Sequence, residues 1–166
     1  MTTRRNFFRL LGGGAIALAA GGVLYRGLQQ SAPRRFSLDT AGHEFLTVIV
    51  PVLVGPAARS PADIAATVSR VQAAIAGLPL AAQAELQDLF GLLALAPARR
   101  LLTGLPAWRD ATPAQVQTFL QDWRLHRFLK LRSAYQALHD LVLGSWYADP
   151  ASWGAIGYPG PLKELA

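Results

Sequence analysis

The chain has no cysteine, which excludes disulfides, thiol catalysis, iron–sulfur clusters, c-type haem attachment and cysteine-ligated zinc. Charge is scarce at 16% of 166 residues, while apolar residues make up 52%, so a sizeable core is affordable and a disordered chain is excluded. Acids are missing altogether from residues 1–32, where Arg4, Arg5, Arg9 and Arg26 stand alone. The rest of the chain carries 12 basic and 10 acidic groups, so most of the net +6 belongs to the first segment. That distribution does not point to nucleic acid, and no zinc-finger, RNP-like or phosphate-loop motif is present. No stretch alternates cleanly between polar and apolar, and alanine and leucine dominate. Both features favour helices over sheet.

What is present begins with Thr3-Arg4-Arg5-Asn6-Phe7-Phe8-Arg9, followed by an apolar run from Leu10 to Tyr25 containing five glycines. The arrangement resembles a twin-arginine export signal, with Arg4, Arg5 and Phe7 as its recognition residues. The run is shorter than the roughly 20 residues of a spanning helix, and its glycines weaken it further. Small-residue cleavage patterns such as Ala17-Leu18-Ala19 fall inside the run, so cleavage and retention as an N-terminal anchor both stay open. The expected location is the periplasm, with attachment to the inner membrane if the leader is kept.

The pattern divides the chain into a leader (1–32), a helical domain (33–143) and a Gly/Pro/aromatic arm (144–166). The fold class expected is all-α, a small helical bundle with an extended C-terminal arm. Residues 37–55 predict a helix capped by Ser37 or Thr40 and kinked or ended by Pro51, although Val48-Ile49-Val50 would also suit a buried strand. Residues 60–78 carry a clearer signature: Ser60 as cap, Pro61 in the first turn, Asp63 near the positive end and Gly77 as the stop. Residues 79–97 predict another helix, and 98–106 a short helix or connector. In 110–150, Thr112-Pro113 starts a periodic stretch whose phase slips near His126, separating a Val116/Phe119/Leu120/Trp123 face from a Phe128/Leu131/Tyr135/Leu138/Val142 face.

Chemistry is sparse. His43-Glu44 lacks the second histidine of a zinc protease motif, no Glu-x-x-His pair occurs, and Ser145 lacks the glycine frame of a nucleophile elbow. No catalytic, cofactor-binding or metal-ligating residues are therefore assigned to the chain. His43 with Glu44, or His139 with Asp140, would be the acid–base pairs of a small enzyme. Arg124, Arg127, Lys130 and Arg132 form a basic cluster that reads as a solvated face or as a dock for an acidic partner or lipid headgroups. The arm places Trp146, Tyr147, Trp153, Tyr158 and Pro159 among glycines and prolines. Such rings serve either as interface anchors or as a cover for the domain's own helices.

"FLTVIVP" (45–51) and "WYADPASWGAIGYPGP" (146–161) resemble the small subunit of gluconate 2-dehydrogenase, subunit 3 of that family. The intervening residues match only in helical character. The resemblance implies a non-catalytic subunit of a periplasmic flavin-dependent sugar, polyol or sugar-acid dehydrogenase. FAD would sit in a large partner subunit, electrons would leave through a multihaem cytochrome c in some complexes, and the twin-arginine export machinery would be a third partner. The arm residues Trp146, Tyr147, Trp153, Tyr158 and Pro159 would meet the large subunit. It also explains folded export: the large subunit acquires flavin in the cytoplasm and is carried out on the small subunit's leader. A free-standing helical ligand-binding protein is the alternative.

Overall fold

The computed structural model describes residues 35–58 and 60–160. Asp39 sets the first helix, α1 (Thr40–Val54), by accepting the Gly42 N–H on its side chain. The cap is thus neither Ser37 nor Thr40. An aspartate just outside the first turn also complements the positive helix end. Pro51 does not end α1, which continues to Val54 and stops at Gly55 with φ 75°. Proline forfeits a backbone hydrogen bond and costs a helix interior about 3 kcal/mol. Here α1 is the central helix, packed against four others, and that packing outweighs the local defect. Val48-Ile49-Val50 is helical, with Ile49 and Val50 fully buried. The stretch Thr40–Ala57 has the length and apolar composition of a membrane span; in this fold it supplies the middle of the core.

Helix α2 (Pro61–Ala76) has the expected start. Ser60 and Asp63 form a reciprocal capping box, and Val68, Val71 and Ile75 are buried. Helix α3 (Leu80–Ala94) buries Leu86, Phe90 and Leu93, and α4 (Ala96–Thr103) follows after a single non-helical residue. Helix α5 (Pro113–Arg124) opens with a Thr112/Gln115 capping box, and α6 (Leu129–Tyr147) is the longest of the described helices. Among the described residues there are six α-helices and no strand, so the protein is a small all-α bundle. Helix α1 contacts α2, α3, α5 and α6, and α6 lies against α2 and α5. At Gly42 a Cβ would come within 2.8 Å of the Phe90 ring, so glycine permits the close approach of α1 and α3.

The core is threaded by a file of rings: Phe36, Phe90, Phe45, Trp108, Phe119 and Trp123, with successive centroids 4.6–5.9 Å apart. Such contacts add about 0.5–1.5 kcal/mol per pair beyond burial of area. Buried polar groups hold the connections. Gln83 accepts the Phe36 N–H and donates to the carbonyls of Ala76 and Leu78, tying the entry segment to the α2–α3 turn. Buried Arg99 donates to the carbonyls of Leu93, Ala94 and Pro106 and lies over the Trp108 ring.

Candidate functional site: the pinned aromatic segment

The helix expected to give way to an extended arm at residue 144 instead runs to Tyr147, and Pro150–Ile156 winds into a 3₁₀-helix. Trp146 and Ser145 are therefore helical and buried. Gly144 is tolerated inside α6 because neighbouring residues are packed on α2, and only Asp149-Pro150 breaks the winding. The aromatic segment is consequently shorter and stiffer than an arm of 23 residues.

Asp149 anchors it. One carboxylate oxygen accepts the Ala151 N–H and caps the 3₁₀-helix, while the other pairs with Arg70 of α2. Arg70 also donates to the Ser145 carbonyl, so a single guanidinium clamps both the end of α6 and the start of the segment. Both partners of this ion pair are about one-third exposed. Screening holds its worth to about 1 kcal/mol or less, and its role is positional. Beside it lies a cavity of about 150 Å³ lined by Ala57, Asp63, Arg70, Trp146, Asp149, Ala151 and Ser152. That is about half the lower end of ordinary small-molecule pockets. Asp63, Arg70, Asp149 and Ser152 are all engaged in internal hydrogen bonds.

Beyond the clamp the rings support one another. Trp153 Nε1 donates to the Tyr147 carbonyl at 2.8 Å, and the Trp153 and Tyr158 rings meet edge to face at 5.2 Å. Gly157 closes the 3₁₀-helix with φ 69°, a backbone that a side chain would strain. The outward surface is formed by Tyr147 (40% exposed), Ile156, Tyr158 (46% exposed) and Pro159, with Trp153 partly covered. Of the five arm residues read as partner-binding, Trp146 belongs to the domain's own packing, because it is buried and lines the cavity beside Asp63 and Arg70 of α2. The other four remain at the surface.

The remaining candidates are dispersed. Arg4, Arg5 and Phe7 lie outside the described residues. His43 is exposed and within 3.5 Å of the Thr47 hydroxyl, whereas Glu44 faces Arg109 at 3.6 Å. His139 Nδ1 is 3.1 Å from the Asp140 carboxylate. Asp140 is held below the usual carboxylate range, first by the Gln136 amide hydrogen bond and then by that to His139. Among the described residues no three His, Asp or Glu side chains gather as a metal-ligand set.

The break near His126 is real and has a mechanism: the ring Nδ1 accepts the Phe128 N–H at 3.1 Å, turning the chain between α5 and α6. Phe128, read as part of the α6 apolar face, lies instead in this turn and is 54% exposed. Arg124, Arg127, Lys130 and Arg132 are exposed around it. The contributions of Gln83, Arg99 and Trp108 were not legible in the periodic pattern, since Trp108 sits in the α4–α5 loop and the other two are polar. A tryptophan between Pro106 and Asp110, three residues after Leu105, was the available signal.

The fold and the site together define a small all-α domain that displays a clamped aromatic segment at one helix end. Comparison with protein-family models, with curated proteins and with solved structures finds no match to the chain.

Proposed function

We propose that this chain is the non-catalytic small subunit of a periplasmic flavin-dependent dehydrogenase of sugars, polyols or sugar acids. It escorts an FAD-bearing large subunit through twin-arginine export and stabilises it afterwards. The observation that carries the proposal is the clamped segment: Tyr147, Trp153, Tyr158 and Pro159 stand at the surface on a backbone already fixed by Asp149, Arg70 and internal ring contacts. Aromatic groups whose conformational freedom is spent before binding lose little entropy on association. The twin-arginine leader and the likeness of residues 146–161 to the gluconate 2-dehydrogenase small subunit supply the direction. In this reading the chain holds no cofactor of its own, and a multihaem cytochrome c is a further partner in complexes that deliver electrons to the membrane.

Affinity purification of the full chain from the cells that make it tests the proposal. A large, yellow, flavin-containing subunit should co-purify. Tyr147→Ala with Tyr158→Ala should lower its recovery by roughly thirtyfold or more, as for an interface anchor worth about 2 kcal/mol. The helical melt of the isolated variant should stay within about 1 kcal/mol of the parent, because both rings are surface groups. A colourless monomer would refute the proposal. Deletion from residue 145 is unsuitable, since it removes buried Trp146 along with the segment.

A further inference from the structure

The α5–α6 corner combines two features that surfaces ordinarily keep apart. Leu125, Phe128 and Leu129 are exposed by 78%, 54% and 66%. Arg124, Arg127, Lys130 and Arg132 surround them, and all four are exposed. Residues 123–139 contain no acid; the nearest on the chain are Asp122 and Asp140. Among the described residues, ion pairs form at Arg70, Arg109 and His139 and leave these four cations without a carboxylate partner. The apolar groups are also held in place. The His126 Nδ1 bond fixes the turn, His126 and Phe128 rings lie 5.0 Å apart, and the Arg127 guanidinium sits 4.8 Å from the Phe128 ring centroid.

We infer that this corner docks on an anionic lipid surface, with Leu125, Phe128 and Leu129 entering the headgroup–acyl boundary and the four cations lying among the phosphates. Exposed aliphatic side chains gain nothing from a nucleic acid backbone. A bilayer accepts such side chains without shape complementarity. Long arginine and lysine stems reach back to the headgroups while their neighbours are immersed. The inference is independent of the flavoprotein reading, and it concerns the opposite end of α6 from the aromatic segment.

The absence of cysteine allows a clean test on the full chain. An environment-sensitive fluorophore is attached to Leu125→Cys, and in a second protein to Ala148→Cys, an exposed position at the far end of α6. The helical rise over 19 residues puts the two roughly 28 Å apart. On vesicles rich in phosphatidylglycerol the label at 125 should shift to an apolar emission, and on phosphatidylcholine vesicles it should not. The label at 148 should stay polar on both, even where the leader itself holds the chain to the vesicle. Each cation near an anionic surface contributes about fivefold in partitioning. Arg124→Gln with Arg127→Gln should therefore raise the lipid needed for half-maximal shift by about 25-fold.

A label at 125 that stays polar on anionic vesicles would overturn the inference. So would an equal shift on both vesicle types, or a shift indifferent to the paired glutamine substitutions. Protection of the 125 label by an acidic protein, with no response to vesicles, would assign the corner to a protein partner instead.

Discussion

Two tryptophans provide a controlled comparison of hydrogen bonding in this core. Trp108 and Trp123 are each 1% exposed and both pack on Phe119. Trp123 Nε1 donates to the Leu102 carbonyl at 2.7 Å, whereas Trp108 Nε1 is buried without a partner. Leu102 lies in the last turn of α4, where carbonyls have no intrahelical donor, so the Trp123 indole completes that helix end. Replacing either residue by phenylalanine keeps a ring in place and removes a similar volume. The losses from transfer and cavity formation are therefore similar, and the difference isolates the N–H. Trp123→Phe strands the part-buried Leu102 carbonyl at a cost of about 1–2 kcal/mol. Trp108→Phe removes an orphan donor and recovers a penalty of the same order. Trp123→Phe should consequently be the more destabilising by roughly 2–4 kcal/mol. For a domain of this size that corresponds to a Tm difference of about 5–20 °C. Urea and thermal unfolding followed by far-ultraviolet circular dichroism measures it. Equal losses, or a greater loss for Trp108→Phe, would refute the reasoning.

Arg99→Ala should destabilise the fold by about 3–5 kcal/mol, because it leaves the Leu93, Ala94 and Pro106 carbonyls without a shared donor; a loss below 1 kcal/mol in the same unfolding assay would contradict this. Arg99→Lys should fall between, since one ammonium cannot reproduce the fork. The Asp140 carboxyl should titrate below an ordinary aspartate by NMR, and its midpoint should rise in Gln136→Ala, which removes the largest cause of the lowering. With a depressed folded-state value, its contribution is present above the unfolded pKa and fades as pH falls through the folded one, so no effect is expected near neutrality. Under the export proposal, Arg4→Lys with Arg5→Lys retains charge but loses both guanidinium forks, and cell fractionation should find the variant retained in the cytoplasm where the parent is exported.

The sequence by itself determined the helical class and the starts of α2 and α5. Ser60-Pro61-x-Asp63 and Thr112-Pro113-x-Gln115 are local chemistry: a hydroxyl, a preset φ and a reciprocal side chain satisfy donors within one turn, with no help from the rest of the chain. The interruption near His126 was legible for the same reason. Tertiary packing decided what such patterns leave open. It carried α1 through Pro51, because four neighbouring helices reward continuity more than the missing hydrogen bond penalises it. It wound the aromatic segment on from α6, buried Trp146 and left Tyr147 and Tyr158 outside, although all three rings read alike in the sequence. It drew Trp108 from a loop into the ring file and gave Arg99 three carbonyls in place of a carboxylate. Phe128 went the other way, out to solvent, because the turn closed by His126 took it off the helix face. Local signals fix where a helix begins; burial depends on which surfaces meet, and that is a property of the assembled fold.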